Sequence, residues 1–178
     1  DFERAIEFFS EGIKNHPKRQ EFYLFSAIVE NSQGNFEAAM AKYDEGIAAI
    51  DLPLELLVRK ALTQGENGDI QGMRKTQEIL LTSYFLPQDY KDFLEASCLF
   101  GEKKWASAAR IFADLSSKMK VRSDLFRAID INLGRCYEYL GKYELALGAY
   151  ESALVGNPGN KTIRSLAKRM RAKLGRVG

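Results

Sequence analysis

What the chain has little of narrows its identity first. Its two cysteines, Cys98 and Cys136, fall in helical patterns with neither metal-ligand spacing nor a framework of pairs. They are expected to be small buried thiols, not a disulfide scaffold or a zinc site. The single histidine, His16, precedes Pro17 at a turn, where a surface position is expected rather than a general base or ligand. No apolar run approaches the roughly 18 residues that a bilayer span needs, which excludes a membrane-spanning helix in the sequence shown. The net charge is only +2, too small by itself to point to nucleic acid or a membrane surface.

Motifs of chemistry are also missing. The glycines of GENGDIQG, residues 65–72, do not match a phosphate-binding fingerprint and follow no strand, so they read as a helix-to-helix turn. The 24 carboxylates are spread along helical patterns, where chance pairs are expected. Asn160-Lys161-Thr162 fits the glycosylation pattern, but a helix N-cap explains Asn160 more simply. No nucleophile stands with its base, and no cofactor box is present, so no catalysis, cofactor or metal is expected. The sequence starts at Asp1 directly inside a helical pattern, without a charged leader or apolar signal region, which suggests a piece of a longer protein or a processed form.

What is present is repetition. LGRCYEYLGKYELALGAYESALVGNP, residues 133–158, sets small residues beside rings at regular steps: Leu133, Gly134 and Tyr137, then Gly141 and Tyr143, then Ala146, Tyr150, Ala153 and Pro158. Phe2, Ala5, Phe9, Gly12 and Pro17 repeat the second half of that spacing. Tyr23, Ser26, Ala27, Gly34, Phe36, Ala39, Tyr43 and Gly46 form another copy, and Ala96, Trp105, Ala108 and Phe112 a further one. The copy between them keeps Ala61 and Gly68 but has Met73 and Gln77 where a small residue and a ring are expected. The steps from Ala27 to Ala61, Ala96 and Gly134 are 34, 35 and 38 residues, which predicts a longer turn around Ser116 to Asp124. Residues four apart share a helix face, so each Ala-to-ring pair lets one backbone come close while the ring fills the space beside it. Gly34, Gly68 and Gly141 stand where helices must stop, and the four prolines stand near unit boundaries.

This pattern resembles the tetratricopeptide repeat, with only the leading Trp replaced, by Asp130. The resemblance implies an all-α fold, a right-handed α-solenoid of antiparallel helix pairs with a C-terminal capping helix. The expected organisation is one solenoid over 1–178. In it, 1–17 is the second helix of a partial repeat, and 20–51, 53–86 (degenerate), 87–120 and 122–158 are repeats. Residues 160–176 are then a basic capping helix, with Ile163, Leu166, Ala167, Met170 and Leu174 as its apolar stripe.

The resemblance further implies a non-catalytic scaffold whose first helices line a concave groove for an extended peptide or helix of a partner protein. Carried over unit by unit, the groove positions are Glu21, Leu24, Ile28 and Asn31; Glu55, Val58, Leu62 and Glu66; Tyr90, Phe93, Ser97 and Phe100; and Ala128, Ile131, Arg135, Glu138 and Tyr139. Packing of Tyr90, Phe93 and Phe100 against neighbouring helices is the competing reading. Arg59 and Asn132 could hydrogen-bond a peptide backbone, but the ordered basic set with which some family members clamp a chaperone's terminal carboxylate is absent.

The tail adds other readings. Residues 160–178 carry seven cations and no acid, including Lys168, Arg169, Arg171 and Lys173, so the rest of the chain stands at −5 against the overall +2. A solvated face is the plain account. Docking on an acidic partner, head-to-tail self-assembly into a homo-oligomer, and RNA contact are the alternatives. The last has the least support, because no aromatics are interleaved with the charges.

Overall fold

The computed structural model describes residues 2–118, 124–155 and 157–175, and the side chains of all of these except 124–127. Every regular element among them is an α-helix. These are α1 (Phe2–Asn15), α2 (Gln20–Ser32), α3 (Phe36–Ala49), α4 (Leu54–Glu66), α5 (Ile70–Ser83), α6 (Gln88–Gly101), α7 (Trp105–Lys118), α8 (Asp124–Tyr139), α9 (Tyr143–Val155) and α10 (Lys161–Lys173). The longer turn expected around Ser116 to Asp124 falls largely on residues 119–123, outside the described residues; α7 itself runs through Lys118.

The chain forms two compact units, Asp1–Leu86 and Pro87–Gly178. In each, consecutive helices pack as antiparallel pairs joined by short turns, the α-solenoid class of fold. In the first unit α2 also lies beside α4, and in the second α6 lies beside α8, so alternate helices are neighbours as in a stack.

The turns inside the pairs share one closure. In each, the second residue past the left-handed position 's predecessor donates back five residues: Asn35 N–H to Glu30 O (3.0 Å), Asp69 to Gln64 (2.9 Å), Lys104 to Leu99 (2.9 Å) and Lys142 to Tyr137 (2.8 Å). This is the helix-ending motif that needs one left-handed residue. Gly34, Gly68 and Gly141 supply it at φ of 82°, 82° and 72°, whereas the fourth turn uses Lys103 at 62°.

Three of the four Ala-to-ring pairs build the interior as the spacing predicts, whereas Ala5 and Phe9 of α1 are only half-buried. Ala39 with Tyr43, Ala108 with Phe112, and Ala146 with Tyr150 are all buried. In the first unit they join Ile13, Tyr23, Leu24, Ala27 and Leu56. In the second, Tyr150, Leu147 and Ala153 pack with Ile163, Ala167 and Met170 of α10, so the last helix covers the apolar side of α9. Glycine permits the closest approaches. A Cβ on Gly134 would stand 2.5 Å from Tyr150 Cε1, and one on Gly46 would stand 2.8 Å from Tyr23 Cβ. In the degenerate copy Met73, at the small residue's position, and Gln77, at the ring's, are both buried, and the Met73 sulfur lies 2.6 Å from where a Cβ on Gly65 would be. Asn160 caps α10 through its side-chain oxygen, which accepts from Ile163 N–H at 3.1 Å.

Asp130, which stands where the repeat pattern has Trp, is buried and ties three helices together. It accepts from Ser116 Oγ of α7 at 2.6 Å and from Ser152 Oγ of α9 at 2.5 Å. A buried carboxylate needs such donors, because stripping it of water without replacement is costly.

Candidate peptide-binding surface

In the first unit the helices that would line a groove are α2 and α4. Gln20 Nε2 donates to Glu55 Oε2 (3.3 Å) near their first turns, and Asn67 Nδ2 donates to Asn31 Oδ1 (2.8 Å) near their last. These two polar rungs join like ends, so α2 and α4 run parallel. Leu24 and Val58 are buried at 5% and 8% exposure, Ile28 and Leu62 are half-buried, and Arg59 is exposed. The apolar surface left on this face is therefore Ile28 and Leu62, with Arg59 close by in sequence.

In the second unit the corresponding helices are α6 and α8. Phe93 is an interior residue, 3% exposed, with its ring against Tyr90 (6.5 Å) and against Phe112 of α7 (6.2 Å). The helical period placed it on the groove side, but the ring leans into the α6–α7 seam, where burial is favourable. Tyr90, Ile131 and Asn132 are half-buried, and Arg135 is exposed.

Phe100 and Tyr139 meet through a residue that groove positions alone do not include. Trp105, the first residue of α7, stacks on Tyr139 with centroids 4.3 Å apart and planes 13° from parallel. Phe100 stands edge-on to Trp105 at 5.1 Å and tilted to Tyr139 at 6.0 Å. Tyr139 is 62% exposed, and Phe100 and Trp105 are half-buried. The available signal for Trp105 was its place among the rings that open second helices, with Phe2, Phe36 and Tyr143.

Three of the four basic-surface candidates are engaged within this unit. Arg169 Nη2 contacts Glu138 Oε2 at 2.7 Å, Lys173 Nζ contacts Glu138 Oε1 at 3.5 Å, and Arg171 Nη2 contacts Glu151 Oε1 at 2.8 Å. Lys173 also lies 4.6 Å over the Tyr143 ring. Lys168 is exposed, with no ion pair among the described residues. Glu138, placed on the groove face by the repeat register, accepts from the Tyr150 hydroxyl as well (3.2 Å). Burial, aided by Glu138, pushes the Tyr150 phenol well above its usual range.

Among the described residues, groups suited to other chemistry do not gather. His16, in the turn between α1 and α2, lies beside the Phe22 ring at 6.1 Å. The Cys136 thiol is buried and pushed up to about 12 by desolvation, which keeps it protonated and unreactive near neutrality. Among the described residues no group of three His, Cys, Asp or Glu side chains could hold a metal ion. None of the described helices is long and apolar enough to cross a membrane.

Sequence comparison finds the tetratricopeptide repeat pattern at residues 1–51 and again at 128–162. No curated protein matches the chain by sequence. Solved structures match by fold. A chain of the APC/C hetero-tetramer Cut9–Hcn1 superposes with a TM-score of 0.69 at 16% identity, over 99% of this chain and 34% of that one. The present chain thus spans about a third of that protein. A tetratricopeptide repeat protein from Parabacteroides merdae matches with a TM-score of 0.57 at 14% identity, over 95% of this chain and 77% of the other. YrrB, described as a TPR protein with an unusual peptide-binding site, matches at 0.50 and 14% identity, over 94% and 84%.

Proposed function

The chain belongs to the tetratricopeptide repeat family, and from that premise we propose that it is a non-catalytic scaffold that holds an extended peptide or short helix of a partner protein against the first helices of its pairs. Those helices are α2 and α4 in one unit and α6 and α8 in the other. The observation that carries the reading is the apolar surface left half-buried or exposed on them: Ile28 and Leu62 in the first unit, Phe100 and Tyr139 in the second. Packing within each unit leaves these side chains partly in water, and a partner that covers them gains about 25 cal/mol per Å² of apolar area removed from solvent. YrrB, similar in fold, is described as having a peptide-binding site. Self-assembly through the basic last helix has less support, because Arg169, Arg171 and Lys173 already serve Glu138 and Glu151 of their own unit.

An unbiased peptide-display selection on the purified chain tests the proposal. Selected peptides should bind saturably, and Leu62→Glu or Tyr139→Glu should weaken at least one selected class by about tenfold while far-UV circular dichroism stays unchanged. Selected peptides that bind both variants as tightly as the parent would remove these faces from consideration.

A further inference from the structure

We propose that the Phe100–Trp105–Tyr139 cluster of the second unit is the anchor point for an acidic peptide, one that inserts a single large apolar side chain between flanking carboxylates. The proposal rests on the reading above that α6 and α8 face the partner, and it assigns that partner's chemistry.

The rings supply the anchor. Trp105 and Tyr139 stack almost parallel, and Phe100 meets them at 64° and 60°, so the three rings form a corner instead of a flat patch. They come from three elements: the end of α6, the start of α7 and the end of α8. Mutual packing holds them in place, so little rotamer freedom remains to be lost when a ligand arrives. Large aromatics presented rigidly and half in water are the side chains that most often dominate binding interfaces.

The charges supply the selectivity. Lys103 lies in the turn between Phe100 and Trp105, Lys142 in the turn just after Tyr139, and Arg135 one helical turn before Tyr139 on α8. All three are exposed, and none has an ion pair among the described residues. The acids near these rings in sequence are mostly engaged: Glu102 with Lys104 (2.8 Å), Glu138 with Arg169 and Lys173, and Glu95 within the fold. Glu144, in the first turn of α9, is the remaining exposed one. The excess around the rings is positive, which complements carboxylates on the partner.

Backbone geometry singles out the same place. Three of the four inner turns end on glycine in the left-handed region, whereas the turn bearing this cluster uses Lys103. A side chain there costs roughly 1 kcal/mol or more in local strain, and such strain is concentrated where a side chain is needed for function. A nucleic-acid strand is the less favoured anion, because the cationic α10, which reaches Glu138 next to Tyr139, has no interleaved aromatics on which bases could stack.

Trp105 is the chain's sole tryptophan, so its emission reports on this site alone. The probes are short fluorescein-labelled peptides with a central Phe or Leu flanked by Asp and Glu, the same peptides with Lys flanks or a central Ser, and a single-stranded oligonucleotide. The acidic, apolar-centred peptides should raise label anisotropy and shift Trp105 emission together. Tyr139→Ala and the pair Lys103→Glu with Arg135→Glu should each weaken that binding by about tenfold, whereas Lys75→Glu, at an exposed position of α5, should not. Equal binding by the Lys-flanked peptides overturns the proposal, as does an oligonucleotide that outcompetes the acidic peptide. Peptide binding that leaves Trp105 emission unmoved overturns this site while sparing the wider groove reading. No binding by any peptide overturns the proposal, and failure of the unbiased selection as well would take the groove reading with it.

Discussion

Replacing Gly134 by Ala should destabilise the second unit, although alanine is the better helix former by about 1 kcal/mol. The reason is a single close approach. The new Cβ would stand 2.5, 2.7 and 2.9 Å from Cε1, Cδ1 and Cζ of Tyr150, where carbon atoms prefer about 3.5–4.0 Å. The ring cannot swing aside at little cost, because it is fully buried and its hydroxyl is tied to Glu138. Overpacking of this kind costs about 1–3 kcal/mol, so the net loss should reach up to about 2 kcal/mol once the propensity gain is set against it. Tyr150→Val removes all three clashing atoms. In that background Gly134→Ala should reverse sign and stabilise by up to about 1 kcal/mol. Urea unfolding followed by Trp105 emission reads the unit that contains both residues. The same sign in both backgrounds would refute the idea that a small residue and a ring interlock to set the helix-pair spacing.

Three further outcomes follow from the same structure. Lys103→Gly should raise stability by about 1 kcal/mol in urea titration, by relieving the left-handed strain at φ 62°, and should at the same time weaken acidic-peptide binding. Asp130→Ala should cost about 2–3 kcal/mol, since it removes the buried carboxylate that accepts charge-assisted hydrogen bonds from the half-buried Ser116 and Ser152 hydroxyls; a loss below about 0.5 kcal/mol would show that the three-helix tie is unimportant. Burial raises the folded-state values of the Cys136 thiol and the Tyr43 and Tyr150 phenols above those of the unfolded chain. Their contribution is therefore fully present below about pH 8.5, the unfolded thiol's range, and is lost as pH climbs through and beyond the unfolded phenols' value near 10. Thermal melts should be level from neutrality to about pH 8.5 and fall above it; a melting temperature that rises with alkali would contradict the assignment.

The fold was legible because its rule is local. Ala146 and Tyr150, or Ala108 and Phe112, lie four apart, so one helix face carries both, and the periodicity alone says they are buried together. The left-handed glycines were legible for the same reason. What the sequence left open depends on contacts between distant segments. Trp105 and Tyr139 are 34 positions apart, and their stacking follows from how two inner turns come side by side, which no spacing encodes. Phe93 shows the limit of register: periodicity gives the side of a helix, but the χ angles that tilt the ring toward Phe112 answer to packing. The positive stripe of α10 likewise looked uniform in sequence. The pairing of Arg169, Arg171 and Lys173 with Glu138 and Glu151, while Lys168 pairs with none of the described residues, arises only when α10 docks on α8 and α9.

Backbone amide chemical shifts, recorded as a selected peptide is titrated into isotope-labelled chain, test the central claim most directly. The account predicts perturbations concentrated on α2 and α4 or on α6 and α8, with the turns bearing Lys103 and Lys142 included when the peptide is acidic. Perturbations concentrated on α1, α3, α5 and α9, or on α7 beyond its first turn, would contradict it.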